Sequence, residues 1–431
     1  MEANHNFRIL RNGLTVHTIQ RRELPIVFVM LLYPVGSGHE RTSEFGMAHF
    51  LEHMMFKGSQ NFPQGTLDLF SHRSGGENNA YTSRDFTVFY HVLPSRHWQK
   101  ALEMEFDRMT GLILDPVEYE SEKRVVLEEL AMYEDEPSEA LYDFHFAQAF
   151  DKAHPYQHPI IGTREILGAQ TVEDMQAFYR AHYQIDNATL VLLGDIDHVQ
   201  ALRSVEKLTE GISQGNPLQK IELIQRGLYP GQKQIKVLEQ DVEVFRISLS
   251  FPSNCSGDTW EAASAVFEEA MAGGRSSRLV KTLREELQVA QSLNLFSDSH
   301  LLGGRQIIEV EVSDDVDPRT CLRQVLNQLR ELHERPFSKK DLEQGQTRAL
   351  ASHLFDQERL ENLGYSFAQW LSVGKPMGYF DFDRLLKELD FDVIPHFISK
   401  FYDPGKMTLG VSCPVGEGKI FQNLEIADLW S

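Results

Sequence analysis

FYRAHYQIDNATLVLLG, beginning at Phe178, returns 219 residues later as FISKFYDPGKMTLGVSC, beginning at Phe397. Without gaps the two share Phe178/Phe397, Tyr183/Tyr402, Thr189/Thr408 and Leu190/Leu409. A second pair, HFLEHMM from His49 and VFEEAMA from Val266, lies at nearly the same offset, 217. Two blocks at almost one offset, each in the same place of its half, point to a duplication, and a repeat of this kind fixes architecture. In a chain of 431 residues the expectation is two tandem, structurally similar α+β domains. Residues 1–215 form the first and 234–431 the second, joined by a Gly-, Pro- and Gln-rich linker at 216–233.

The coarse element pattern fits alternating sheet and helix. Phe7–Leu10 and Leu14–Ile19 flank Asn12-Gly13, a two-residue hairpin signal. Pro25–Val35 (PIVFVMLLYPV) is too short to span a bilayer and reads as a buried strand. Helical patterns follow at about 46–56 and 67–74, then a strand-like stretch at 80–93, then helices at 97–113 and 117–135. Asn187–Gly194 is a buried strand. The second half shows strands at 235–238, 242–251 and 306–312, and helices at 258–272, 275–287, 317–333 and 338–372.

Charge narrows the partners. With 63 acidic and 42 basic residues the net charge is −21, which argues against nucleic acid and against an anionic membrane. Three distant cysteines, Cys255, Cys321 and Cys413, define no disulfide framework and suit a reducing compartment. The polar start MEANHNFRILRNG has no apolar signal-peptide core, so a cytoplasmic protein is expected.

Residues 49–53 read His-Phe-Leu-Glu-His. On a helix His49 and His53 share one face, flanked by Glu52, and two imidazoles one turn apart can grip one cation. The order H-x-x-E-H is that of inverzincins. Zinc needs a third protein ligand and an open position. The densest source of carboxylates is EKRVVLEELAMYEDEP, where Glu122 and Glu129 stand seven apart on one helix face. Glu128, Glu134, Asp135 and Glu136 read as a solvated acidic face.

HFLEHMMFKGS followed by EKRVVLEE resembles the pitrilysin/insulinase family of zinc peptidases. The spacing of 76 residues from His53 to Glu129 is similar to that family's. The resemblance implies one Zn²⁺ per chain on His49, His53 and Glu129, with Glu122 supporting a ligand. It implies Glu52 as the general base acting on zinc-bound water. GGENNAYTSRDFTVFY from Gly75 is similar to a family block whose edge strand pairs with substrate, implying peptide contact at Asn79, Ala80 and Tyr81. HPYQHPIIG from His154 and NATLVLLGDID from Asn187 also resemble the family; His154 and His158 read as structural. The implied fold is two domains, each a mainly antiparallel sheet packed with helices. The implied activity is endopeptidase cleavage of unfolded or short precursor peptides in a closed chamber.

One departure bears on partners. The family's second domain carries an Arg and, seven positions on, a Tyr that hold the substrate carbonyl. Here GGRSSRLVKTLREELQVAQS supplies Arg284, but position 291 is Gln, and Gln288 stands where the family has a helix-ending Gly. The resemblance therefore implies a zinc-bearing subunit whose zinc-less homologous partner brings the Arg/Tyr pair. A homodimer using Gln291 is the second choice. The rival class is a noncatalytic scaffold subunit.

Overall fold

The computed structural model describes residues 4–151, 153–215 and 234–421. The expected linker, 216–233, lies outside the described residues. Among these residues two sheets form. The first contains β1 (His5–Ile9), β2 (Thr15–Gln20), β3 (Ile26–Tyr33), β4 (Glu77–Thr82), β5 (Thr87–Pro94) and β6 (Thr189–Gly194), in the order β1-β2-β6-β3-β5-β4. The second contains β7 (Gln234–Gln240), β8 (Arg246–Ser253), β9 (Ala290–His300), β10 (Gly303–Val312) and β11 (Thr408–Pro414), in the order β7-β11-β8-β10-β9.

Leaving out β1, the two orders are the same. Each sheet is antiparallel except for one parallel pair, β2 with β6 and β7 with β11. The register repeats too: Thr15 pairs with Thr189, Gln234 with Thr408, and both members shift by 219. The fold is thus α+β with two like domains, as the repeat predicts.

Burial explains the β3 sequence. Val27, Val29, Leu31 and Tyr33 point into one core with Phe50, Leu51 and Met54. Phe28, Met30 and Leu32 point into another with Val88, Tyr90, Leu363 and Phe367. Covered on both faces, the strand reads as a continuous apolar run rather than an alternating one. The second cover is the helix Leu360–Ser372. At Gly364 it lies so close to the sheet that a Cβ would stand 2.2 Å from the Phe28 ring.

That helix does not group with the second sheet. The first unit takes Asp356–Phe380, and the second takes Met132–Gln157, which includes the helix Pro137–Ala149. Packing therefore exchanges segments across the linear division at 216–233.

Local differences from the sequence reading have physical causes. Leu10 N–H bonds to Leu14 O and Gly13 takes φ +88°, so the first hairpin turns through three residues closed by a left-handed glycine, not two. The stretch 80–93 is a hairpin, β4 and β5, turned at Ser83-Arg84-Asp85 without Gly or Pro. Strand β9 and the helices Pro137–Ala149, Pro376–Lys387 and Val393–Phe401 were not expected. The pattern at 338–372 is two helices, Lys339–Asp356 and Leu360–Ser372.

The expected helix at 275–287 is a π-helix, Val280–Glu286, followed by Gln288 at φ +54°. A side chain with a Cβ is strained in the left-handed region, whereas glycine is not. Gln288→Gly is therefore expected to stabilise the protein by about 0.5–1 kcal/mol, the larger backbone entropy of glycine offsetting part of the relief. A melting temperature at or below that of the wild type refutes this.

Candidate active site

Helix α1 (Met47–Met54) is eight residues long and amphipathic. Met47, Ala48, Phe50, Leu51 and Met54 are buried, so His49, Glu52 and His53 are left together on the other face. After α2 (Thr66–Ser74) and α3 (Trp98–Gly111) comes α4 (Pro116–Asp135). It buries Tyr119, Val126 and Leu130 and presents Glu122 and Glu129 to α1.

The convergence is tight. His49 Nε2 lies 3.9 Å and His53 Nε2 3.3 Å from carboxylate oxygens of Glu129. One nitrogen or oxygen from each of the three lies within 4.8 Å of the others, a group that can hold a metal ion. Donors about 2.0–2.1 Å from a tetrahedral zinc stand roughly 3.4 Å apart, so two imidazoles and a carboxylate at these separations suit that ion. Glu122 Oε1 lies 3.0 Å from His53 Nδ1, and Lys57 Nζ lies 2.5 Å from Glu122 Oε2. Glu122 is thus gripped from both sides, and the imidazole it holds keeps Nε2 turned to Glu129.

Electrostatics separate the two histidines. Burial, aided by His53, lowers His49 to about 4, so it is neutral at pH 7. Burial also pulls on His53, but hydrogen bonds from Glu122 and Glu129 outweigh it and hold its pKa up at about 9. For Glu122 burial works upward and is overcome by His53 and Lys57, leaving the carboxyl below its ordinary range.

Glu52 sits differently. Burial raises its pKa to about 7, opposed by the Thr82 hydroxyl, which donates to Glu52 Oε2 at 2.6 Å. A carboxylate near neutrality can take and return a proton. Thr82 ends β4, so this bond ties Glu52 to the edge strand of the first sheet.

Asn79, Ala80 and Tyr81 all lie on β4, which has one neighbour, β5, among the described residues. Asn79 Oδ1 accepts from Ala80 N at 2.9 Å, and Tyr81 packs edge-on against Tyr365. Arg284 belongs to the second unit, exposed on the π-helix, and Gln291 is exposed at the start of β9. His158 lies 3.1 Å from the buried Glu40, in keeping with a structural role. Thr82 and Lys57 were missed as contributors. Both stood inside motifs already singled out, but neither spacing indicates contact. No helix among the described residues is long and apolar enough to cross a membrane.

Comparison with known proteins agrees with this arrangement. The sequence profile of Insulinase (Peptidase family M16) matches residues 15–164, and that of the Peptidase M16 inactive domain matches residues 170–349. The chain is 28% identical over 320 residues to an uncharacterized zinc protease of Rickettsia felis, covering 73% of this chain and 75% of that one. It is 27% identical over 296 residues to the mitochondrial-processing peptidase subunit beta of Blastocladiella emersonii, covering 68% and 63% respectively. A protease from Helicobacter pylori shares the fold with a TM-score of 0.86 at 22% identity, covering 95% of this chain and 99% of that one.

Proposed function

This chain belongs to peptidase family M16, the insulinase family, and on that premise we propose that it is a zinc-dependent endopeptidase. The observation that carries the reading is the convergence of His49, His53 and Glu129, with Glu52 on the same face of α1. His49, His53 and Glu129 hold one zinc ion. When bound, zinc lowers the pKa of a water toward ~7 and polarises the scissile carbonyl. Glu52 takes the proton of the attacking water and returns it to the leaving amine. Glu122, anchored by Lys57, keeps the His53 ring oriented. The peptide lies along β4 as an added strand, main chain to main chain at Asn79, Ala80 and Tyr81.

The substrates in this reading are unfolded or short precursor peptides taken into a closed chamber. Arg284 has no Tyr seven positions on, so a zinc-less homologous subunit brings that pair, with a homodimer as second choice. A relative that is by name a subunit, the processing-peptidase beta chain, supports a multi-chain enzyme. The test is zinc content and cleavage of a peptide library by the purified chain, alone and with such a partner. Cleavage only with the partner is expected. Full activity of a dilute monomer refutes the partnership, and absence of stoichiometric zinc refutes the enzyme in favour of a scaffold.

The histidines also set a pH dependence. Ligand imidazoles must be neutral, and without metal His53 holds its proton up to about pH 9. Metal loading must therefore expel that proton at neutral pH. Zinc affinity is expected to rise about tenfold per pH unit between about pH 6 and 8. The sign reverses for the metal-free fold: the stability contributed by the His53 contacts is complete below pH 6.5 and is lost as pH rises through about 9. Chelator-competition titrations across pH check the affinity, and a flat profile refutes it.

A further inference from the structure

Helix α1 is only about two turns long and cannot hold its own geometry in isolation. Its first backbone N–H groups need partners, and its N-cap residue is Gly46, which has no side chain to offer. The partner comes from outside the helix. Glu40, whose side chain is fully buried, accepts from Gly46 N through Oε2 at 2.9 Å and from Ala48 N through Oε1 at 2.7 Å. A carboxylate there also meets the positive end of the helix dipole. His158 Nε2 lies 3.1 Å from the same Oε2. The His158 ring is itself fixed, stacked on Phe45 at 3.7 Å, and its carbonyl accepts from Arg84 Nη1 at 2.9 Å.

The segment that carries Glu40 is also bonded to the β4–β5 turn. Ser37 N donates to Ser83 O at 3.1 Å and Gly38 N to Arg84 O at 2.8 Å. One short stretch therefore grips both the helix that carries His49, Glu52 and His53 and the turn next to Thr82. A cap that only stabilised α1 would need no such second attachment.

We propose that Glu40 is a positioning residue for this site: its carboxylate, steadied by His158, fixes the first turn of α1 against the β4–β5 turn and so sets Glu52 relative to the peptide-binding strand. The proposal rests on the peptidase reading above. Neither residue touches substrate or metal; they act through α1.

The test compares wild type, Glu40→Gln and His158→Asn in zinc affinity, by chelator competition, and in steady-state kinetics at saturating zinc. Glu40→Gln must lose a bond to the helix, since an amide cannot accept through both ends. Its zinc Kd is expected to rise about tenfold and its kcat to fall about tenfold, the scale of outer-shell substitutions, with KM within about twofold of wild type. His158→Asn is expected to move both quantities the same way by about threefold, a smaller share of that outer-shell effect, and decides the matter alone if Glu40→Gln does not fold. A lowered melting temperature with unchanged zinc affinity and kcat makes Glu40 a plain structural cap and overturns the proposal, leaving the peptidase reading intact. A wild type that neither binds zinc nor cleaves peptide overturns both.

Discussion

Replacing Glu52 by Gln is expected to cut kcat by about 10²–10⁴-fold while leaving zinc content at that of the wild type. The substitution keeps the size of the side chain and its place on α1, and Thr82 can still donate to the amide oxygen. What disappears is the ability to accept a proton. Burial raises the Glu52 carboxyl to about 7, so in the native protein it can take a proton at neutral pH and give it back. An amide can do neither. Because Glu52 is not one of the three clustered donors, metal loading serves as the control. Zinc retained with turnover lost supports the assignment. A variant that cleaves at the native rate removes Glu52 from the role of base.

The second large effect is expected from His53→Ala. This ring faces two carboxylates, Glu122 through Nδ1 and Glu129 through Nε2. Its removal deletes one of three donors and leaves Glu129 without its nearer imidazole. Stoichiometric zinc and peptide cleavage should both vanish. A ligand that binds only the folded protein stabilises it by about 4 kcal/mol at a thousandfold excess over Kd, or roughly 10 °C for a domain of this size. Zinc should therefore raise the melting temperature of metal-stripped wild type by that amount and leave His53→Ala unmoved. An equal shift in both proteins would falsify the ligand set.

Much of the candidate site could be read because its parts are local. His49, Glu52 and His53 lie within five residues, and helical periodicity alone puts them on one face. Glu122 and Glu129 needed the resemblance, since many acidic pairs at that spacing face only water. Thr82, Lys57 and Glu40 were opaque for another reason: their partners lie 30, 65 and 118 residues away, and no periodicity links them. The fold divides likewise. Strand β3 was plain because burial on both faces leaves an unbroken apolar run. Strand β9, AQSLNLFSDSH, is an edge strand with mostly half-exposed side chains and does not stand out as sheet. The exchange of Met132–Gln157 and Asp356–Phe380 between units is a tertiary choice that linear composition does not encode.

The position of the helix Leu360–Ser372 has a consequence for synthesis. A chain leaving the ribosome presents β1 to β6 within its first 194 residues, yet Leu360, Leu363, Phe367 and Tyr379, which cover Phe28, Met30 and Val88, come far later. Until they arrive, one apolar face of the first sheet is open to water, and such transient exposure invites aggregation. The N-terminal half is thus a debtor to the C-terminal half throughout translation. A chain stopped near residue 215 should be recovered mainly in inclusion bodies, and one extended past Phe380 should not. For this protein the span that catalyses and the span that can be made separately are different things.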